Sequence, residues 1–370
     1  MSRRRPRRPH ARAGRGARGR GAPLLRAALR VVALAALALG AAACGTTKQV
    51  REPDLVVRGN DTVAVRPTPN PAGHGLRIAA ARLAVVTHAQ ASDPFWAVVR
   101  RGLDDAARQT GVALSYRSPD TYDVRRMAQL IDDAVADRPD GLIVSLPDAP
   151  ALAPAIRRAE RAGVPVVSIN SGSDQFRRLG ILAHVGQPEW RAGFEGGLRM
   201  AAAGVRHAVC VDQEIANAGL ALRCRAFAAG LRRGGGSSRV LAVPLQDPVK
   251  AQRLVARAVA SGGIDGMLTL GPASAAPALS ALRAGGLAKR VKLATFDLSP
   301  EILAAVRDGR MLFAIDQQPY LQGYLPVVML AEQARHGLFP ARGELVPTGP
   351  HFVTRATAAQ AMALSRQGIR

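Results

Sequence analysis

The chain has 370 residues, 48% hydrophobic and 21% charged, which excludes a disordered or low-complexity protein and leaves room for two lobes of about 150 residues, each with its own core. Its 51 basic residues against 27 acidic ones give +24, a balance suited to nucleic acid, but eleven arginines lie within residues 3–30. Without them forty basic residues face 27 acidic ones, spread along helical faces, so no nucleic-acid partner is expected; three cysteines are also too few for a disulfide framework.

After the arginines, Val31–Ala43 is an uncharged apolar run of thirteen residues. It falls short of the ~20 residues that span a bilayer as a helix, but it fits the apolar region of a signal peptide. Small residues at 41–43 directly before Cys44 resemble a bacterial lipobox, with Ala41 where such motifs usually carry Leu; Ala41 and Ala43 can also be read as an ordinary A-x-A cleavage site. Residues 1–43 are therefore read as a signal peptide with a lipobox. Cys44 is read as the lipid-bearing N-terminus, anchored on the outer side of a bacterial cell membrane. Residues 44–80, with Pro67, Pro69, Pro71 and Gly73, read as a flexible tether.

From Arg82 onward, short β-branched runs alternate with segments of helical period. The runs are Leu83–Thr87, Gly141–Ser145, Val164–Ile169, His207–Val211, Val240–Val243, Gly266–Leu270 and Val291–Phe296. Most stand about a helix length apart, the pattern of parallel strands buried on both faces. Helix starts are marked by Asp93-Pro94, Asp123 and Ser299-Pro300. The expected fold is α/β: two doubly wound parallel-sheet lobes joined by a multi-strand hinge, with residues 81–186 and 317–343 in the N-terminal lobe and 187–316 and 344–370 in the C-terminal lobe. Ligands of open α/β sheets sit beyond the carboxyl ends of the strands, so chemistry is sought just after each run.

Taken in order, those ends and their flanks carry Asp140-Gly141, Ala162-Gly163-Val164-Pro165, His184–Gly193, Arg223–Phe227, Phe296-Asp297 and Gln317–Tyr320. The series resembles the type I periplasmic binding proteins of the ribose-binding and simple-sugar group over about residues 82–356. The resemblance implies a solute-binding lipoprotein, expected to act as a monomer, that closes two lobes on a sugar-like small molecule and delivers it to ABC permease subunits. A sensor subunit for a chemoreceptor or kinase is the alternative. A transcription regulator shares the fold, but the Gly- and Pro-broken arginine segment offers no helix-turn-helix.

A sugar presents C–H faces and a rim of hydroxyls, which calls for aromatic faces and hydrogen-bonding groups at the edge. Phe95 and Trp96 stand where the resemblance places stacking residues; core positions in the first helix are the alternative. Asn170 replaces the Asp usual in ribose binders, which changes the hydroxyl pattern it can read, or it caps a turn before Ser171. Arg223 opens a stretch like the family's Arg-x-x-small-Phe motif, and its guanidinium can bridge a ring oxygen and a hydroxyl in one plane. Asp297 would accept from two hydroxyls or cap the helix starting at Pro300; Gln317 would close the edge near a crossing between lobes. Asn217 and Glu214 are second-rank candidates, and Gly271-Pro272 stands where the family often has Asn-Asp.

No G-x-S-x-G, P-loop or paired-cysteine metal spacing occurs and the seven histidines are scattered, so no enzyme, metal or cofactor is expected. His184 reads as structural. Cys210, in a strand, and Cys224, about two turns into the following helix, are neighbours that an oxidising compartment would join; two separate buried thiols are the alternative.

Overall fold

The computed structural model describes residues 54–58, 61–65, 80–88 and 93–370; the segment read as a signal peptide, Cys44 and most of the segment read as a tether lie outside them. Within the segment read as a flexible tether, β1 (Asp54–Arg58) and β2 (Asp61–Val65) pair antiparallel. Val56-Val57 and Thr62-Val63 flank Gly59-Asn60, a hairpin pattern that the prolines further along overshadow.

The first sheet is built from β3 (Arg82–Val86), β4 (Ala113–Arg117), β5 (Gly141–Ser145), β6 (Val166–Ile169) and β7 (Ala183–Gly186). The second is built from β8 (His207–Asp212), β9 (Ser237–Ala242), β10 (Gly266–Thr269), β11 (Lys292–Phe296) and β12 (Phe313–Asp316). β13 (Glu344–Pro347) then completes the first sheet and β14 (His351–Thr354) the second, giving orders β13-β7-β6-β5-β3-β4 and β14-β12-β11-β10-β8-β9. Every ladder within the two sheets is parallel except β12–β14.

Period-2 alternation sends successive strand residues into two cores per lobe. In the first lobe Ala84, Val86, Leu142 and Val144 meet α2 (Val124–Ala136) and α3 (Ala149–Arg161) through Met127, Ile131, Leu152 and Ile156. Leu83, Val85, Ile143 and Val167 meet α1 (Pro94–Thr110) through Val99 and Leu103 on the other face. The second lobe repeats this. α6 (Pro248–Ala260), α7 (Pro272–Ala284), α8 (Pro300–Arg307) and α10 (Ala358–Arg366) cover the face of Val209, Met267 and Leu293. α4 (Glu189–Ala202) and α5 (Ala218–Arg233) cover the face of Cys210, Leu268 and Phe296. Each large apolar side chain so buried stabilises the fold by about 1.5–3 kcal/mol.

The chain passes between the lobes three times. After β7 it enters α4, which packs on α5 of the second lobe; after β12 it enters α9 (Pro319–His336), which packs on α1 of the first; and β13 leads into β14. Both helix pairs meet at backbone distance. A Cβ on Gly102 would run into Tyr320 O and one on Gly323 into Val99 O, while Gly193 lies against Arg223 O and Gly230 against Phe194 O. Residues 344–347, assigned from sequence to the C-terminal lobe, pair with β7 instead, so the final crossing follows Pro347. A four-residue strand that ends in proline is too short to announce its sheet.

Cys210 and Cys224 form a disulfide with Cα atoms 5.7 Å apart, tying β8 to α5. Among the described residues no helix is long and apolar enough to cross a membrane.

Candidate functional site

Asn170 follows β6 and Asp297 follows β11, both with φ of 63°, a left-handed conformation that Asn and Asp adopt more readily than other non-glycine residues. That conformation turns the chain sharply at the carboxyl end of each strand. Gln317, at the start of the second crossing, lies between them: its Nε2 donates to Asp297 Oδ1 at 2.6 Å, and its Oε1 accepts from Asn170 Nδ2 at 3.4 Å and from Arg223 Nη2 at 3.4 Å. A second buried amide holds Gln317 in place. Gln322 Nε2 donates to Gln317 O and Oε1, both at 3.0 Å, and Thr348 Oγ1 donates to Gln317 O at 2.7 Å.

Arg223 is buried, 2% exposed, over the face of Phe296 at 4.5 Å, and pairs with both oxygens of Glu189 at 2.6 and 2.8 Å. Burial opposes its charge, but Glu189, with Asp297 and Glu214 adding to it, raises its affinity for the proton. Asp297 lies on the other side of the balance: burial outweighs the nearby guanidinium and pushes its carboxyl up to about 7. Glu214 and Asp93 are raised in the same direction, first by burial.

Asp93, Asn170, Glu214, Arg223, Asp297 and Gln317 line one pocket between the lobes, together with Phe95, Trp96, Gln213, Leu220, Leu245 and Leu270 to Ala273. Asp93 caps α1 by accepting from Phe95 N at 2.7 Å, which brings Phe95 and Trp96 edge to face at the first lobe's wall. Behind them His88 donates its backbone N–H to Ser145 Oγ at 2.9 Å and meets Trp96 edge to face. Burial, then Arg223, lowers the His88 pKa to about 3, so the ring is neutral.

Six of the seven expected contact residues, Phe95, Trp96, Asn170, Arg223, Asp297 and Gln317, line the pocket. Asn217 does not. It caps α5 by accepting from Gly219 N at 3.0 Å, and its Nδ2 donates to Glu214 Oε2 at 2.8 Å. The capping rule alone, Asn directly before a helix, signals that role. Sequence reading missed Asp93, whose capping place at the end of the first strand's loop was the available signal, and Glu189, for which none was. His184 lies in β7, within 2.9 Å of Ser168 Oγ and stacked on Phe176, away from the pocket.

Two parallel-sheet lobes that place one aromatic-walled, charged pocket across three chain crossings define a two-lobed ligand-binding protein. Residues 83–338 match the family model of the periplasmic binding protein domain, and the chain belongs to that family. A carbohydrate transporter from Acidothermus cellulolyticus 11B, crystallised in complex with myo-inositol, is 36% identical with a TM-score of 0.74, over 79% of this chain and 100% of that one. AraP, an arabinose binding protein from Geobacillus stearothermophilus, is 22% identical with a TM-score of 0.62, over 76% and 99%. The xylose/arabinose-binding protein XylF of Sulfolobus acidocaldarius is 22% identical over 254 residues, 65% of this chain, which spans 63% of that protein.

Proposed function

We propose that this chain is an extracytoplasmic receptor that captures a cyclitol or monosaccharide between its lobes and hands the closed complex to an ABC permease. The observation that carries the reading is the pocket itself: Phe95 and Trp96 come from the first lobe, Arg223 and Asp297 from the second, and Asn170 and Gln317 link the two. A polyol ring satisfies these groups only when both lobes reach it, the differential affinity that drives closure. Nothing in that arrangement activates a bond, so the role is capture rather than conversion. The Acidothermus relative's myo-inositol favours a cyclitol among the candidates.

The test is calorimetry and thermal shift of the purified chain with myo-inositol, D-xylose, L-arabinose and D-glucose. A ligand at ~100 times its dissociation constant adds about 2.7 kcal/mol of stability; no stabilisation by any polyol at millimolar concentration overturns the reading. Cys44 is proposed as the lipid attachment point of a monomeric receptor. The Cys44→Ala variant is expected in the soluble fraction with binding intact, whereas a mature wild-type chain whose mass shows a free, unmodified N-terminus at any other residue rules the anchor out.

A further inference from the structure

Outside the pocket, the N-terminus of α5 touches the first lobe directly. Ala218 N–H donates to Pro147 O, just past β5, at 2.8 Å. The Ser171 hydroxyl, just past β6, lies 3.1 Å from Asn217 Oδ1 and 3.0 Å from Asn170 Oδ1, with one proton to share between them. His88 Nε2, past β3, stands 3.7 Å from Glu214 Oε2. Two strand ends of the first lobe thus meet one helix start of the second, on the helix that carries Arg223, and a third faces the loop just before it. Apart from Asn170 and Glu214, these residues do not line the pocket.

We infer that the start of α5, residues 217–219, is an interlobe latch: it stabilises the closed arrangement by contacts that no ligand atom enters, with Pro147 and Ser171 as its seat. This rests on the reading of the chain as a receptor that closes on its ligand. The Ala218 amide is one of the first N–H groups of a helix, which have no partner within the helix, so the Pro147 carbonyl satisfies a donor that opening returns to water. A ligand's apparent dissociation constant scales inversely with the fraction of molecules that can close, so the latch sets affinity without reading ligand shape. Asn217, Ala218 and Pro147 are therefore positioning residues.

Ala218→Pro breaks the latch. Proline is favoured at the first helical position and requires an extended residue before it, which Asn217, with φ −82° and ψ 109°, already is; it lacks the N–H, and its Cδ takes the place of the hydrogen that points at Pro147 O, so the seam loses the bond and is wedged apart. Gly219→Ala is the second variant. Its Cβ would stand 3.2 Å from Ser171 Oγ, wedging the seam while raising helix propensity.

Each variant is compared with the wild type by calorimetry and stopped flow, using myo-inositol and D-xylose as probes. The expected result for Ala218→Pro is affinity weakened by at least about 2- to 12-fold, the loss of one hydrogen bond with the ring's clash against Pro147 O added to it, by the same factor for every probe that binds. The change should lie in the dissociation rate, and the melting temperature should not fall. Gly219→Ala should shift the same quantities less. Unchanged affinity, or a loss confined to one probe, overturns the latch. A ligand-free measurement separates this from failure of the receptor reading. With a spin label attached through an unnatural amino acid at position 250, relaxation enhancement at first-lobe amides reports the closed population. That signal should drop in Ala218→Pro even if no polyol binds, and an unchanged signal overturns the inference.

Discussion

The two lobes share one strand order and can be placed in register through their helix contacts. Val99 O faces Gly323 and Arg223 O faces Gly193, so Val99 and Arg223 occupy equivalent places, as do Asp93 and Asn217, both helix caps. On the crossing helices Gln317 matches Gln187 and Pro319 matches Glu189. Asn170 and Asp297 match through their shared φ. The fold is thus repeated and the chemistry is not. Where the first lobe has Val99 and Pro319, the second has the buried Arg223–Glu189 pair; where the first has a neutral amide at 170, the second has a carboxyl. The first lobe supplies flat apolar walls, and the second supplies most of the charge.

Making the second lobe resemble the first at the ion pair should have the largest effect. Glu189→Leu leaves Arg223 buried and unpaired and should destabilise the fold by about 3–5 kcal/mol in urea denaturation. Adding Arg223→Leu should recover most of that loss without restoring ligand binding; a double variant as unstable as the single one would show that the pair holds the fold together. Breaking the disulfide, which has no counterpart at Val85 and Arg100, should lower stability by about 3 kcal/mol. Amide exchange should rise in β8 and α5 and not in β3 and α1, and unreduced denatured protein should show no free thiol from Cys210 or Cys224.

Asp297→Asn installs the first lobe's residue and sharpens the comparison through pH. With the folded pKa raised to about 7, the native chain between about pH 4 and 7 holds a proton that the unfolded chain has released, so this group's contribution falls as pH rises through that window. The variant lacks that dependence. Its stability relative to the wild type should climb from pH 4 to 7 and level off above it, by on the order of 4 kcal/mol; a difference flat across that range would mean Asp297 is ionised throughout. The smallest effect is optical. Of the two tryptophans, Trp96 lines the pocket and Trp190 is half exposed on α4, so ligand should change fluorescence through Trp96 alone and Trp96→Phe should abolish the response.

Much of this was legible in the sequence, because a strand buried on both faces leaves an unbroken apolar run. All seven runs overlap strands, six of them buried ones and the seventh, Val240–Val243, on the exposed edge strand β9, and Asp93, Asp123 and Ser299 cap helices as their positions indicate. The edge strand β4 escaped because Ala113–Arg117 is half exposed and mixes polar with apolar residues, and β9 begins at Ser237 rather than Val240 for the same reason. Asn217 carried two signals, a strand end and a helix cap, and only the second describes what its side chain does. Glu189 was illegible because its partner lies 34 positions along the chain, and only the packing of α4 on α5 brings the two charges together.

The three crossings bear on how the protein is made. β13 and β14 follow all the other described strands, yet each completes a different sheet, so as the polypeptide emerges from its N-terminus the first sheet cannot be finished before residue 347, nor the second before residue 354, has been added. The first lobe is encoded first, but its sheet is completed only after five strands of the second have been made. A nascent chain of this topology that has passed β12 holds two five-stranded sheets, each awaiting its sixth strand, until β13 and β14 emerge.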